Sequence, residues 1–455
     1  MKTNAQFFTF FVSVLCSLSA PQIASADATS YWAAVGTPPP IPTSSYPYIS
    51  YTAYTCTANY YVDPSGSDSY SGTSGAPWQT ISHAIDVLRY RGSLGGVCVN
   101  VGPGTYTESL YLNNLSGTAD ASTGYLVFRS STLRAAILQE PYANINSRHS
   151  VHIDNSHFVI FDGFTVRGYT EGSTSGFFAM NSHHIKIMNN KVHDVGSAGI
   201  ASVYSDYFVV IDNVVYNTSC CDSSGTSGID LYGPVASDTN PGFHNVISRN
   251  IVFNSLDGVQ HSEGDGIILD NFRATGYNQQ TLIQSNLVYD NGGPGINLYY
   301  SNNTTILNNT AFNNYRDSQL TWANGEITVN NSSHVFVVNN IAVAHTSPKS
   351  GVMALWDQTW DGTNTGNVWA NNLSFTGNAG EKSATNNAWC GCGTDITTAN
   401  GNILGYDPLF VNPAASNFVL QAASPAIGNG TTTYGAAYND LPGNVRGTPP
   451  DIGAY

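Results

Sequence analysis

Seven asparagines at one phase of a repeated pattern constrain this fold more than any other feature of the chain. Each lies between two short apolar stretches, as in the segment from Met188 to His193. They recur at intervals of 23, 37, 36, 23, 31 and 32 residues: Asn190, Asn213, Asn250, Asn286, Asn309, Asn340 and Asn372. A unit of about 20–50 residues that repeats is typical of a solenoid. Because the unit consists of short β-branched runs bent at Asn, the pattern predicts a parallel β-helix in which each coil stacks on the previous one.

Three residue columns share this phase. Asn tolerates left-handed torsions at a bend, and stacked at about 4.8 Å its side-chain amides can satisfy one another in a buried ladder. Three residues after the Asn comes a column that is mostly aromatic: His193, Tyr216, Phe253, Tyr289, Phe312 and Phe375, interrupted by Val343. The third column is Gly followed by an aliphatic residue: Gly199-Ile200, Gly228-Ile229, Gly266-Ile267, Gly295-Ile296 and Gly351-Val352. Three columns in each coil predict three strands in each coil.

Charge limits the choice of partners. Only 10% of the 455 residues are charged, and the net charge is −15. This balance argues against nucleic acid or an anionic membrane surface as a partner. It also argues against unaided binding of a polyanionic sugar.

The N-terminus has the pattern of a secretory signal. Lys2 precedes an apolar run from Phe7 to Ala20, and a small-residue site precedes Asp27. We therefore expect a signal peptide over residues 1–26, a proline-rich arm over residues 27–55, and a secreted, extracellular, monomeric protein.

Six cysteines follow the signal segment, which itself contains Cys16: Cys56, Cys98, Cys220, Cys221, Cys390 and Cys392. In an oxidising compartment an even number of cysteines predicts disulfides. Cys56 with Cys98 is the favoured pair, and metal binding is the alternative for the other four.

The β-helix is expected to form a single domain over residues 56–455. Thr80 is predicted to cap a short amphipathic helix through Ile81, Ala84, Ile85 and Leu88, which would cover the open N-terminal end of the stack. The layout is then an N-terminal cap over about residues 56–106, coils to about residue 410, and a C-terminal cap over residues 411–455.

Both ends of the stack carry family-like segments. The stretch from Tyr61 through Asp63, Pro64 and Gly66 to Trp78 resembles the opening of secreted right-handed parallel β-helix proteins, including family 9 polysaccharide lyases. The segments from Asp407 to Phe410, from Ser424 to Ile427, and from Asp451 to Tyr455 are similar to the same pectate-lyase-like superfamily. This resemblance implies a right-handed, all-β helix and, for the family 9 members, Ca²⁺-assisted cleavage of a uronate polymer. Fold alone does not decide the reaction.

Chemistry is predicted on the two longest neighbouring coils, after Asn213 and after Asn250. They contain the densest group of ionisable residues in a chain that otherwise avoids charge. The candidate catalytic residues are His261, Glu263, Asp265, Asp270 and Arg273.

Aligning the Gly-Ile columns predicts a binding face. Ala201, Asp230, Ile268 and Asn297 should share one position, and Val203, Tyr232, Asp270 and Tyr299 the position two residues later. Strand alternation turns both sets outward if the isoleucines point inward. Tyr232 and Tyr299 are predicted to stack on sugars, and Asn297 to donate hydrogen bonds to them.

Two mechanisms are compatible with these residues. In the first, which the family 9 resemblance implies, Asp230 and Asp265 bind Ca²⁺ and a base starts β-elimination. The family's base is a Lys that has no counterpart in the coils just after Asp270, so Arg273 or His261 is the candidate substitute. The favoured interpretation is that the chain is a polysaccharide lyase.

In the second mechanism, two carboxyl groups among Glu263, Asp265 and Asp270 hydrolyse a glycosidic bond. A neutral polysaccharide would suit an acidic cleft. A third interpretation is a glycan-binding adhesin without catalytic activity. Trp356 and Trp360 are candidates for a further sugar subsite or for a packing cluster.

Overall fold

The computed structural model describes residues 54–141, 149–168, 174–320, 325–344, 352–360, 362, 364–377, 383–386, 393–437 and 439–455. The predicted signal peptide, most of the predicted arm, and Cys390 and Cys392 lie outside these residues. Three long parallel sheets form the sides of a right-handed β-helix, so the predicted all-β architecture with three strands in each coil is confirmed.

Among the described residues, the three sheets contain eleven, ten and eleven strands. Sheet A contains eleven of them: β1 (Ala58–Val62), β2 (Val97–Val101), β5 (Leu126–Ser130), β8 (His157–Asp162), β11 (His183–Met188), β14 (Asp206–Ile211), β17 (Phe243–Ser248), β20 (Gln280–Gln284), β23 (Thr304–Leu307), β26 (Phe336–Val338) and β29 (Val368–Ala370). Sheet B contains ten: β4 (Leu110–Asn113), β7 (Val151–Asp154), β10 (Phe177–Met180), β13 (Ile200–Val203), β16 (Ile229–Tyr232), β19 (Ile267–Asp270), β22 (Ile296–Tyr299), β25 (Gly325–Asn330), β28 (Met353–Gln358) and β31 (Ala384–Asn386).

Sheet C contains eleven: β3 (Gly104–Thr107), β6 (Ala136–Gln139), β9 (Thr165–Arg167), β12 (Lys191–His193), β15 (Val214–Thr218), β18 (Ile251–Ser255), β21 (Leu287–Tyr289), β24 (Thr310–Phe312), β27 (Ile341–Val343), β30 (Leu373–Phe375) and β32 (Ile403–Leu404). The antiparallel pair β33 (Phe410–Asn412) and β34 (Asn417–Leu420) follows them. Short 3₁₀ turns occupy Phe272–Thr275, Thr398–Asn400 and Pro413–Ala415.

The predicted helix closes the N-terminal end of the rod. Helix α1 spans Ile81–Arg89 and buries Ile81, Ala84, Ile85 and Leu88. The Thr80 hydroxyl accepts a hydrogen bond from the backbone N–H of His83, as expected of an N-cap residue. The helix fits its predicted role as a cap because its apolar face joins the core that the first coils share.

The asparagine ladder forms between sheets A and C as predicted. From Asn190 onward, each side-chain amide donates to the side-chain carbonyl of the next coil's Asn, at 2.9–3.2 Å, and the column ends at an eighth rung, Asn402. The expected left-handed torsion lies one residue earlier, for example at Asp212 and Arg249, because the bend turns before the ladder residue. The ladder Asn is therefore free to point its amide along the stack.

The aromatic column stacks on the outside of sheet C. The rings of His193 and Tyr216 lie 4.9 Å apart and within 2° of parallel, and Tyr216 and Phe253 repeat this geometry at 4.9 Å and 4°. Tyr289 and Phe312 end against Phe418, which the C-terminal segment supplies. The stack is therefore covered by the chain's own C-terminal residues.

The predicted disulfide Cys56–Cys98 is present and ties the first strand pair to the residues before it. Cys220 and Cys221 form a disulfide with each other. Among the described residues, no helix is both long enough and apolar enough to span a bilayer.

Candidate functional site

Sheet B presents the candidate site on its outer face. Ala201, Asp230, Ile268 and Asn297 occupy one register position, and Val203, Tyr232, Asp270 and Tyr299 occupy the position two residues later. The isoleucines that precede the first set are fully buried in the core. The predicted register is therefore confirmed, and it places acids and aromatics from three adjacent coils on one face.

Two enlarged loops rise beside this face. The loop from β15 to β16 covers residues 219–228 and is called the disulfide loop; the loop from β18 to β19 covers residues 256–266 and is called the acidic loop. They have ten and eleven residues, whereas the corresponding loop of the preceding coil, residues 194–199, has six. The backbone N–H of Gly264 donates to Thr226 O at 3.0 Å, so the two loops form one wall.

A cavity of about 360 Å³ opens between this wall and the outer face of sheet B. The residues that line it are Ser262, Glu263, Ile268, Asp270, Asn297, Tyr299, Asn330 and Trp360. Four of them, Glu263, Asp270, Asn297 and Tyr299, were predicted as site residues. Trp360 was one of two candidates for a further subsite, and its side chain is 52% exposed.

Glu263 belongs to the acidic loop, and Asp257 stabilises the conformation of this loop. The buried Asp257 carboxylate accepts hydrogen bonds from the backbone N–H groups of Gln260, Ser262 and Glu263. Ser227 of the disulfide loop donates its hydroxyl to Glu263 Oε2 at 3.4 Å. The Glu263 carboxyl is therefore held at the edge of the cavity by groups from two coils.

Burial and the charges of neighbouring carboxyl groups raise the pKa values of Asp230, Glu263 and Asp265. Burial, followed by the charges of Asp230, Asp265 and Asp270, raises the pKa of Glu263 well above its usual range. Burial and the neighbouring Asp270 also raise the pKa of Asp230. Desolvation and like charge both oppose ionisation of the carboxyl groups in such a cluster.

The pKa of Asp270 is raised as well. Burial raises its pKa to about 7, while a hydrogen bond with the Asn271 side chain opposes the shift. The cavity therefore contains two carboxyl groups with raised pKa values, and that of Asp270 lies close to neutrality. Strongly perturbed groups of this kind in a cleft are typical of functional sites.

Asp265 lies beneath the cavity rather than in its wall. Its side chain is fully buried, Oδ2 accepts a hydrogen bond from Asn297 Nδ2 at 2.9 Å, and Gly293 of the next coil covers Oδ1 so closely that a Cβ there would lie 2.1 Å away. Asn297 in turn accepts a hydrogen bond from Asn330 Nδ2 at 2.9 Å. The geometry suits Asp265 to orienting Asn297, which does reach the cavity.

The two predicted bases do not line the cavity. His261 Nδ1 lies 2.7 Å from Asp317 Oδ2, on the side of the acidic loop that faces the next coil. Arg273 belongs to a 3₁₀ turn beyond the C-terminal end of β19, donates to Asn331 O at 2.7 Å, and lies over the Tyr300 ring. Both side chains are held by partners outside the carboxyl cluster.

The predicted sugar-binding tyrosines take different positions. Tyr299 lines the cavity, edge-on to Tyr300 at 4.7 Å between ring centroids. Tyr232 lies on the adjacent part of the face, where burial and the charge of Asp270 raise its pKa, and its ring approaches Tyr204 at 6.1 Å. The face beside the carboxyl cluster is thus lined with aromatic rings.

Calcium is the cofactor that the resemblance implies, with Asp230 and Asp265 as its predicted ligands. Carboxylate oxygens are suitable donors for this cation, but Asp265 is enclosed and already engaged by Asn297. Within the described ranges, no three His, Cys, Asp or Glu side chains are grouped so as to hold a metal ion. Asp230 and Asp265 do not by themselves supply the several oxygen ligands that Ca²⁺ takes. Calcium binding stays a prediction.

The structure also brings in residues that the sequence did not single out for chemistry. Ser262 and Asn330 line the cavity, and Ser227 and Asp257 hold the acidic loop. The alignment of β22 with β25 was the available signal for Asn330, which follows Tyr299 in the same column.

No protein-family model matches the chain, and no curated protein matches it. Among solved structures, a protein described as a glycoside hydrolase is 11% identical, covers 80% of this chain and 99% of its own, and superposes with a TM-score of 0.53. Pectate lyase Pel9A is 17% identical over 89% of this chain and 97% of its own, with a TM-score of 0.47. A rhamnogalacturonan lyase is 15% identical over 80% and 97%, with a TM-score of 0.41. The similarity to the glycoside hydrolase supports the parallel β-helix fold.

Proposed function

We propose that this chain is a secreted, extracellular enzyme that hydrolyses glycosidic bonds of a neutral polysaccharide. The observation that supports this most directly is that Glu263 and Asp270 line one cavity in which burial raises the pKa of both carboxyl groups. Glycoside hydrolysis needs one protonated and one ionised carboxyl group on opposite sides of the bond.

In the proposed reaction, Glu263 donates its proton to the glycosidic oxygen as the bond to the leaving sugar breaks. Asp270, once ionised, either removes a proton from the attacking water or attacks the anomeric carbon itself. Asp230 supports the role of Glu263 because its charge lies close enough to raise the pKa of that carboxyl group. Asp265 accepts a hydrogen bond from Asn297 and orients it, so that Asn297 would hold a sugar hydroxyl.

The character of the cavity favours hydrolysis over β-elimination. Elimination from a uronate needs a group that neutralises the sugar carboxylate and a base that removes a carbon-bound proton. Among the described residues that line the cavity there is no Lys, Arg or His. A neutral glycan also avoids repulsion by a chain of net charge −15.

The test is incubation of the protein with neutral β-glucans, xylan, galactan, pectate and alginate, each with Ca²⁺ and with chelator. We expect new reducing ends from a neutral polymer, without the ultraviolet absorbance of an unsaturated sugar end, and no change on chelation. Unsaturated products that require Ca²⁺ would establish the lyase reaction instead, and binding without cleavage would establish an adhesin. The anomeric configuration of the first product separates inverting from retaining hydrolysis.

A further inference from the structure

The vicinal disulfide Cys220–Cys221 lies at the start of the disulfide loop and has no part in the chemistry described above. Its half-cystines are in the coil beneath Glu263, and they form a small apolar cluster with Leu256, the first residue of the acidic loop. The disulfide therefore contacts the segment that carries Glu263.

The disulfide loop is attached to the preceding coil at the same point. The backbone N–H of Ser219 donates to Ser197 O at 2.8 Å, and that of Cys221 donates to Gly196 O at 2.9 Å. A bond between adjacent cysteines closes a small ring, which removes freedom from the peptide unit between them. The loop consequently leaves this anchor in one fixed direction.

The far end of the disulfide loop contacts the acidic loop. Besides the bond from Gly264 to Thr226, Ser227 Oγ accepts from the backbone N–H of Asp265 at 3.2 Å while its hydroxyl reaches Glu263. Gly225 fits so closely that a Cβ would lie 2.9 Å from Ser262 Oγ and 3.5 Å from Glu263 Cδ. Displacement of this loop would therefore displace Glu263.

Leu256 couples the disulfide to the acidic loop from the other side. It packs on the half-cystines below and on Gly292 of the next coil, where an added Cβ would lie 3.0 Å from Leu256 Cδ2. Its backbone N–H donates to Thr218 O at 3.0 Å. The first residue of the acidic loop is thus held between a covalent ring and a glycine that leaves room for its side chain.

We propose that the Cys220–Cys221 disulfide is a positioning element that holds the acidic loop so that Glu263 faces the cavity. This inference rests on the proposed function only for its effect on turnover. Its structural content, order in residues 256–266, is independent of any substrate. Preorganised geometry of a catalytic group contributes to rate because a small misplacement is costly.

The experiment compares three variants of the full secreted chain by hydrogen–deuterium exchange and by kinetics. C220S/C221S removes the vicinal bond, L256A removes its contact with the acidic loop, and C56S/C98S removes the other described disulfide as a control. We expect C220S/C221S and L256A to speed exchange in residues 256–266 about tenfold or more, with residues 304–312 unchanged. The control should leave exchange in residues 256–266 at the wild-type rate.

On a cleaved glycan, C220S/C221S should lower kcat about tenfold and change KM less, and it should move the alkaline limb of the kcat/KM profile. The positioning role is refuted if exchange in residues 256–266 stays at the wild-type rate in both C220S/C221S and L256A. If the double cysteine variant does not fold, L256A alone decides. If the wild-type protein cleaves no glycan, the proposed function fails, while the exchange data still decide the role of the disulfide.

Discussion

The asparagine ladder and the carboxyl cluster beside sheet B are two groups of buried polar side chains. They differ in how many of their hydrogen-bonding atoms have partners. In the ladder, Asn286 accepts from Asn250, donates to Asn309 and donates again to Ile247 O. In the cluster, no described group donates to Asp265 Oδ1 or to Asp270 Oδ1, although both atoms are buried.

The difference shows what each column can contribute. A buried polar group that has all its partners stabilises a unique fold, whereas one that lacks them costs free energy. The ladder therefore fixes the register of the coils. The cluster keeps desolvated carboxyl groups whose pKa values are displaced toward neutrality, which is useful for proton transfer.

The largest expected effect is on activity, from Glu263→Gln. This change keeps the volume of the side chain and removes its proton donor, so kcat/KM should fall about 10³-fold, equivalent to about 4 kcal/mol of barrier. Steady-state kinetics on the cleaved glycan measure the loss, and thermal unfolding should show equal or greater stability.

Glu326→Gln is the matched control for that variant. Glu326 is fully buried, and burial raises its pKa to about 8, as burial raises that of Glu263, but its carboxylate accepts a hydrogen bond from Asn314 away from the cavity. Its activity should stay within about threefold of wild type, a difference of less than 1 kcal/mol in the barrier. Equal losses from both variants would contradict a specific role for Glu263.

The next largest effect is on stability, from Asn286→Leu. The backbone N–H and the side-chain amide of Asn250 both lose their acceptor, so the free energy of unfolding should fall by about 3 kcal/mol or more. Chemical denaturation measures this loss. Asn429→Leu is the control, because the exposed Asn429 side chain donates only within its own turn; a loss of similar size there would remove the special role of the ladder.

The sequence predicted the repeating parts of both columns because a stacked coil places equal phases above one another. The Asn rungs, the outward positions of Asp230 and Asp270, and the buried face of α1 all followed from local periodicity. The eighth rung, Asn402, was not among the seven predicted asparagines.

The loops could not be predicted in this way, since their conformations depend on contacts between coils. Asp265 is enclosed because Gly293 of the following coil closes over it. His261 has a left-handed backbone torsion, φ of 52°, and its side chain meets Asp317, which is 56 residues away in sequence. No residue pattern within one coil contains this information.

A smaller effect is expected on the pH dependence of the free energy of unfolding. It should distinguish Asp270 from acids whose pKa is not raised. Because burial raises the pKa of Asp270 to about 7, the stability linked to this group is fully present below about pH 4 and is lost as pH rises through 7. Asp270→Asn should therefore stabilise the fold by about 1 kcal/mol at pH 8, after allowance for partial solvent screening, and by almost nothing at pH 4.

Asp194→Asn supplies the opposite sign in the same measurement. Burial opposes ionisation of Asp194, but hydrogen bonds from His193 and Asn217 outweigh it and lower the pKa. This variant should lose stability above about pH 4 relative to wild type. Denaturant midpoints at pH 4 and pH 8 test both variants, and parallel pH profiles for wild type and Asp270→Asn would rule out the proposed desolvation of Asp270.

The smallest effect should come from Trp360, which lines the cavity but is exposed and lies outside the buried carboxyl cluster. Covering about 20–60 Å² of the indole ring with the apolar face of a sugar contributes about 0.5–1.5 kcal/mol, so Trp360→Ala should raise KM about two- to tenfold and leave kcat nearly unchanged. Tyr70→Ala is the control, because Tyr70 is 53% exposed, as Trp360 is at 52%, but belongs to the N-terminal cap. A fall in kcat without a change in KM would instead mean that Trp360 shapes the carboxyl cluster, and the division between a buried ionisable centre and an exposed binding surface would have to be redrawn.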